Sequence, residues 1–259
     1  MTTERATQIG IDRLVRLAWL EQTASLVLGG GTAADIKSSL QTDLCSAFRS
    51  ARPAERGSLG KTITILMKVW KTTPPDLVEL KEAGLDLLHR MPKSERMAVH
   101  WGMTMAVYPF WANVAAQVGR LLKLQGAVTA SQVQRRMREQ YGERETVSRR
   151  TRYALRSFVD WGVLRETDCK GTYEPLAGET IVNVDLAVWL IEAVLQSGVS
   201  GSTTLKGLID SAALFPFRLP RLSHGDLAAF SQRLEVITHN LDEELVVLGD
   251  PISRKTSDV

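Results

Sequence analysis

Between residues 129 and 172, TASQVQRRMREQYGERETVSRRTRYALRSFVDWGVLRETDCKGT, the hydrophobic pattern runs helical and then turns strand-like. No other stretch limits the fold as tightly. Thr129 followed by Gln132 is a capping box, so a helix is expected from Ala130 until Tyr141-Gly142 stops it. Val133 and Met137 point inward on that helix, and Arg135, Arg136 and Arg138 point out. After a short turn, Thr146 is expected to cap a second helix over 147–161. Val147, Thr151, Ala154, Leu155, Phe158 and Trp161 form its apolar stripe. Arg149, Arg152 and Arg156 form a row at i, i+3 and i+7 on another face, flanked by Arg150 and Tyr153. Gly162 ends the helix, Val163-Leu164 is β-prone, residues 166–171 read as a turn, and residues 172–174 return as a partner strand. Two helices and a β-hairpin in that order predict a winged helix with a basic recognition helix.

Charge sharpens this reading. The formal net charge of the 259 residues is only +3. Residues 120–156 hold ten Lys or Arg against three Asp or Glu, a net of +7, which leaves the remainder at −4. One basic block on a neutral-to-acidic body implies a localised polyanion surface. A helix of this width fits the major groove, where arginine forks reach guanine edges or phosphates. Val147, Ser148 and Arg149 open the second helix and are expected to point toward the groove, with the helix N-terminal amides near phosphate. Lys170, in the hairpin turn, is placed to touch the backbone. The expected DNA-binding set is therefore Arg135, Arg136, Arg138, Ser148, Arg149, Arg150, Arg152, Tyr153, Arg156 and Lys170. Phosphate binding follows from the charge alone, whereas base readout needs specific geometry. The opposing reading is a solvated basic face on a winged helix that serves protein contacts.

Upstream, the pattern is helical throughout. Ile11, Leu14, Val15, Leu17, Ala18, Leu20 and Leu26 predict a helix up to Leu28, stopped by Gly29, Gly30 and Gly31. This triple glycine lacks the preceding strand and following lysine of a phosphate loop, so it reads as a C-cap and linker. Thr32 is expected to cap a helix over 33–48, and Ser58 one over 58–70. Another follows Pro74-Pro75, starting at Asp76 and ending at Met91-Pro92. Ser94 is expected to cap the next, which carries Met97, Trp101, Met105 and Tyr108. Pro109 ends or kinks it, and residues 110–124 form one more. About six helices without strands predict a bundle over 1–125. His100 and Trp101 read first as core and less readily as ligand-facing.

Downstream, Asp185 is expected to cap a helix carrying Leu186, Trp189 and Leu195, and Thr203 to begin another reaching Leu214. Ser223 caps a short helix, and Leu234 to Leu248 read as a hairpin turning at residues 240–243. Three helices and a hairpin predict a second winged-helix-like unit over 177–250, following the first at 126–176. Asp242, Glu243 and Glu244 in its turn would repel phosphate, so a protein-facing role is expected there. Residues 251–259 are expected to be a disordered tail.

Other chemistry is weakly signalled. Cys45 and Cys169 lie far apart, and His89, His100, His224 and His239 have no metal-ligand spacing, so neither metal nor cofactor is expected. No nucleophile–base constellation is legible, and the chain is not expected to be an enzyme. No apolar run spans a bilayer and the start has no signal-peptide core, which predicts a cytoplasmic protein without membrane contact.

Residues 70–164 resemble the BrxA family of BREX phage-defence systems. The resemblance is carried by the helical region, the pair Tyr108-Pro109 followed by Phe110, and the segment TVSRRTRYALRSFVDWGVL. It implies a small, cytoplasmic, bacterial DNA-binding protein without a catalytic site. The C-terminal unit exceeds what that family implies. Two functions follow: a DNA-binding accessory protein of a phage-defence system, or a tandem winged-helix scaffold that holds partner proteins, as in small subunits of condensin-like complexes.

Overall fold

The computed structural model describes residues 5, 7–48, 57–198, 201–238 and 244–249, and the fold is mainly α-helical. The tail 250–259 and the hairpin turn at 239–243 lie outside the described residues. Among the described residues, the helices with defined bounds ahead of the first strand are α1 Leu17–Leu28, α2 Ala33–Leu44, α3 Ser58–Trp70, α4 Val78–Arg90, α5 Arg96–Val107 and α6 Pro109–Gln125. β1 Val128–Thr129, α7 Ala130–Tyr141, α8 Glu145–Asp160, β2 Leu164–Glu166 and β3 Thr172–Pro175 follow. Next come β4 Glu179–Thr180, α9 Val184–Ser197, β5 Ser202–Thr204, α10 Leu205–Ile209, a 3₁₀ turn at Ala212–Leu214 and β6 Phe217–Arg218. α11 His224–Phe230, β7 Leu234–Thr238 and β8 Glu244–Leu248 complete the order.

Several helix starts differ from the sequence expectation. The first helix begins at Leu17, not Ile11, because the backbone around Val15 bonds to α8. Ile11 itself has φ +45°, outside helical space. Ser58 is the first helical residue and gives no cap, the cap position being Gly57. Asp76 sits in a 3₁₀ turn before α4, and Ser94 lies in a turn ahead of α5. Pro109 separates α5 from α6, standing as the first residue of α6 where its missing N–H costs nothing. Asn183, not Asp185, caps α9 by accepting from the Leu186 N–H at 3.1 Å. The segment expected as one helix from Thr203 is instead strand β5, the short α10 and a 3₁₀ turn. Ser223 caps α11 as expected, and Asp226 completes a capping box there.

The strands fall into three small sheets. β1, β3 and β2 pair antiparallel in the order β1-β3-β2. β5, β8 and β7 pair in the equivalent order β5-β8-β7. Helices thread each set in a similar succession, helix, strand, helix, helix, strand, strand, with the 3₁₀ turn and β6 interposed between α10 and α11 in the second. β4, ahead of the second set, and β6, within it, form a parallel pair that was not legible in the sequence.

One buried apolar cluster runs through all of these segments. α9 packs on α5 so closely that a Cβ on Gly102 would stand 2.5 Å from the Trp189 ring. The Trp189 indole N–H donates to the Leu80 carbonyl at 3.0 Å. The buried Glu192 carboxylate on α9 accepts from both the Arg233 guanidinium and the Ser231 hydroxyl, tying α9 to the chain entering β7. A lone buried charge would be costly, and the bidentate partner removes that cost.

His100 and Trp101 are both fully buried, which makes them core residues. The Trp70 indole donates to His100 Nδ1 at 3.1 Å. An indole N–H only donates, so Nδ1 is unprotonated and Nε2 carries the proton toward the Glu21 carboxylate, 2.7 Å away. Burial lowers the His100 pKa from its ordinary value, which matches this neutral tautomer. The hydrogen bond from His100, with Arg96 beside it, holds Glu21 down at about 2. Both groups act in the same direction. The unfolded chain protonates His100 below about 6.5 while the folded state does not, so stability falls as pH drops through that value, by at most about 1.4 kcal/mol per pH unit. Stability from Glu21 is present above its unfolded pKa and is lost as pH falls toward about 2. Urea unfolding at pH 7.5, 6.5 and 5.5 is expected to show the first slope, and His100→Gln to flatten it. An unchanged slope in the variant would assign it to other groups.

Candidate nucleic-acid interface

α8 is amphipathic, and its inner face fixes its position. Val147, Thr151, Ala154, Leu155 and Phe158 are all buried on it, followed by Trp161. Phe158 meets Trp101 of α5 and Trp111 of α6, with ring centroids 5.0 and 4.8 Å apart. The C-terminal half of α8 is also bound by the extended arm before α1. The Val15 N–H donates to the Ser157 hydroxyl at 3.0 Å, and the Trp161 indole N–H donates to the Val15 carbonyl at 2.9 Å. Asp160 accepts from the Leu17 N–H and pairs with Arg16 at 3.5 Å. These bonds consume backbone groups that a longer α1 would use, so helical periodicity there loses to tertiary pairing.

The outer face of α8 presents Glu145, Arg149, Arg152, Arg156, Val159 and Asp160 to solvent. Arg152 is engaged by Glu145 at 3.1 Å. Among the described residues, no carboxylate pairs with Arg149 or Arg156. Arg156 lies close enough to Tyr173 of β3 to pull that phenol's pKa down, although burial raises it overall. Arg150 is half-buried and turned toward the arm, where burial lowers its pKa against the pull of Asp12. Tyr153 is half-buried beside this row.

Ser148 departs from the expected set. It is 6% exposed and Val147 is fully buried, so neither points to a groove. α8 starts at Glu145 with Arg144 as its cap position, and Thr146 gives no cap. That start turns Ser148 onto α7, where its carbonyl accepts from Gln134 at 3.3 Å and its hydroxyl from Arg138 at 3.2 Å. Arg138 also pairs with Glu143 at 2.9 Å, so it braces α7 against α8. Arg135 is exposed and loosely paired with Glu139 at 3.7 Å, and Arg136 is half-buried.

The β2–β3 hairpin stands next to α8. Glu166 accepts from the Gly171 N–H at 2.7 Å, and Gly171 takes φ +78°, which turns the chain at the tip. The Gly171 carbonyl accepts from the Ala130 N–H at 2.8 Å, anchoring the tip to the start of α7. Lys170 is exposed at that tip, while Arg165 and Glu174 neutralise each other across the strands at 2.8 Å.

Arg149, Arg152, Arg156 and Lys170, with Arg135 on α7, thus make up the exposed part of the expected set, while Arg136 is half-buried. Arg16 was not anticipated, because only the tertiary path of the arm brings it to the end of α8. Among the described residues there is no group of three or more His, Cys, Asp or Glu able to hold a metal, and no helix is long and apolar enough to cross a membrane. Comparison with family models, curated proteins and solved structures finds no match to this chain.

The Ser157 bond makes a direct prediction. Ser157→Ala removes the partner of the buried Val15 N–H and is expected to destabilise by about 1–3 kcal/mol in urea unfolding. Unchanged stability would mean that the arm contributes nothing to holding α8.

Proposed function

We propose that the protein binds duplex DNA as a winged helix, with α8 as the recognition helix and the β2–β3 hairpin as the wing. One observation carries the reading: a solvent-facing row of Arg149, Arg152 and Arg156 on a helix whose opposite face is locked into the core. Of these three, only Arg152 has an acidic partner among the described residues. Such a row offers phosphates and guanine edges preplaced cations, and Lys170 extends it onto the wing. The fixed inner face means that little ordering entropy is lost when DNA binds. The resemblance carried by Tyr108-Pro109-Phe110 and TVSRRTRYALRSFVDWGVL extends the proposal to an accessory role in a bacterial phage-defence system, in the cytoplasm.

A gel shift with random duplex at several salt concentrations tests it. Binding is expected to weaken steeply with salt. Replacing Arg149, Arg152 and Arg156 together by alanine should weaken binding strongly in a folded protein and cut the salt slope by about 3. Glu145→Gln, which frees Arg152, should tighten it. A triple variant that binds as the parent does would overturn the assignment.

A second reading is supported by the other sheet. α9, β5, α10, α11, β7 and β8 repeat the winged-helix succession, but α11 contains no Lys or Arg. Phe230 at its end is 49% exposed and Ile237 on β7 is 50% exposed. A tandem winged-helix scaffold of the condensin-like kind would use these exposed apolar side chains for a protein partner. Stable co-purification with a neighbouring gene's product, lost on Phe230→Asp with Ile237→Asp, is the expected outcome; retention in that variant would remove them from consideration.

A further inference from the structure

The basic block that is continuous in sequence is divided in space. Arg120 and Lys123, on the C-terminal half of α6, line a cleft to which no residue of α8 contributes and whose other side is formed by residues between 207 and 219. Arg218 of β6, far away in sequence, completes a set of three cations around that cleft. All three are exposed, and no carboxylate pairs with any of them among the described residues. Elsewhere on the body, Arg5, Arg16, Arg90, Arg96 and Arg233 all have acidic partners. The cleft is open to solvent on one side and offers about 790 Å³, within the size range of small-molecule sites.

Its walls are built and not merely open surface. α6 approaches the 3₁₀ turn backbone to backbone: a Cβ on Gly119 would collide with the Ala212 carbonyl and with the Phe215 Cβ. Phe215 packs against Trp101 and Phe158, at centroid distances of 5.6 and 5.9 Å, and also lines the cleft. Leu122 and Leu214 add apolar wall, and Asp210 is the single carboxylate among the lining residues. Unneutralised guanidinium and ammonium groups select phosphate, and a fixed aromatic edge with aliphatic neighbours accepts a flat ring.

We propose that this cleft binds a mononucleotide-like ligand, with its phosphate on Arg120, Lys123 and Arg218 and its ring against Phe215. The proposal is independent of the DNA reading, since none of these cations lies on α8.

Titration calorimetry of the full chain with AMP tests it, with adenosine and inorganic phosphate as separate arms. AMP is expected to bind more tightly than either fragment. Arg120→Ala and Arg218→Ala should each weaken it about tenfold without moving the melting temperature, since both side chains are exposed. The Arg149/Arg152/Arg156 alanine variant should keep AMP binding. No AMP binding at millimolar concentration would overturn the proposal, as would equal binding of phosphate or adenosine, or unaltered binding in both cleft variants. Displacement of AMP by duplex DNA, with DNA binding lost in the same cleft variants, would also overturn it and make the cleft part of a nucleic-acid surface.

Discussion

Trp101 sits where three lengths of chain meet, and the placement of the candidate interface depends on it. It is fully buried on α5, with the rings of Trp111, Phe158, Trp161, Phe215 and Phe217 all within 5.9 Å between centroids. Those rings come from α6, from α8 and the turn after it, and from the segment around β6. The indole N–H donates to the Ala213 carbonyl at 3.0 Å, so its polar atom is also satisfied. Aromatic pairs add about 0.5–1.5 kcal/mol each beyond their buried area, and here they converge on one side chain. A helix anchored in this way is a rigid platform for its outer face.

That rigidity explains how the charges are distributed. The arm at Val15, Leu17 and Arg16 takes up Ser157, Trp161 and Asp160, the polar and aromatic groups at the end of α8. Arg138 and Ser148 join α7 to α8 near the other end. What is left exposed is the arginine row, with Lys170 on the adjoining hairpin. Arg120 and Lys123, which belong to the same stretch of sequence, are carried to a different face because α6 runs past the core before the chain turns at Gly126, whose φ is +75°.

The sequence was most informative where local signals and burial agreed. Thr129 and Gln132 form the capping box their spacing implied, and Ser223 caps its short helix as read, with Asp226 completing a box that was not anticipated. Phe158 and Leu155 face the core, while Arg149, Arg152 and Arg156 face solvent, as the 3.6-residue period requires. It misled where tertiary bonds override periodicity, as at Ile11 to Arg16, or where the helix start differed by two residues from the expected one, as ahead of Ser148. Two-residue strands such as β1, β4 and β6 carry too few residues for an alternating pattern to register. Arg218 could not be linked to Arg120 from sequence, since only the docking of the 3₁₀ turn on α6 brings them to one cleft.

Amide hydrogen exchange of the full chain with and without a saturating random duplex tests the central claim most directly. The account predicts added protection confined to residues 145–156 of α8 and to the hairpin tip around Lys170, with α11 and β7 unchanged. Protection that appears instead on α11 and β7, or none on α8, would contradict it.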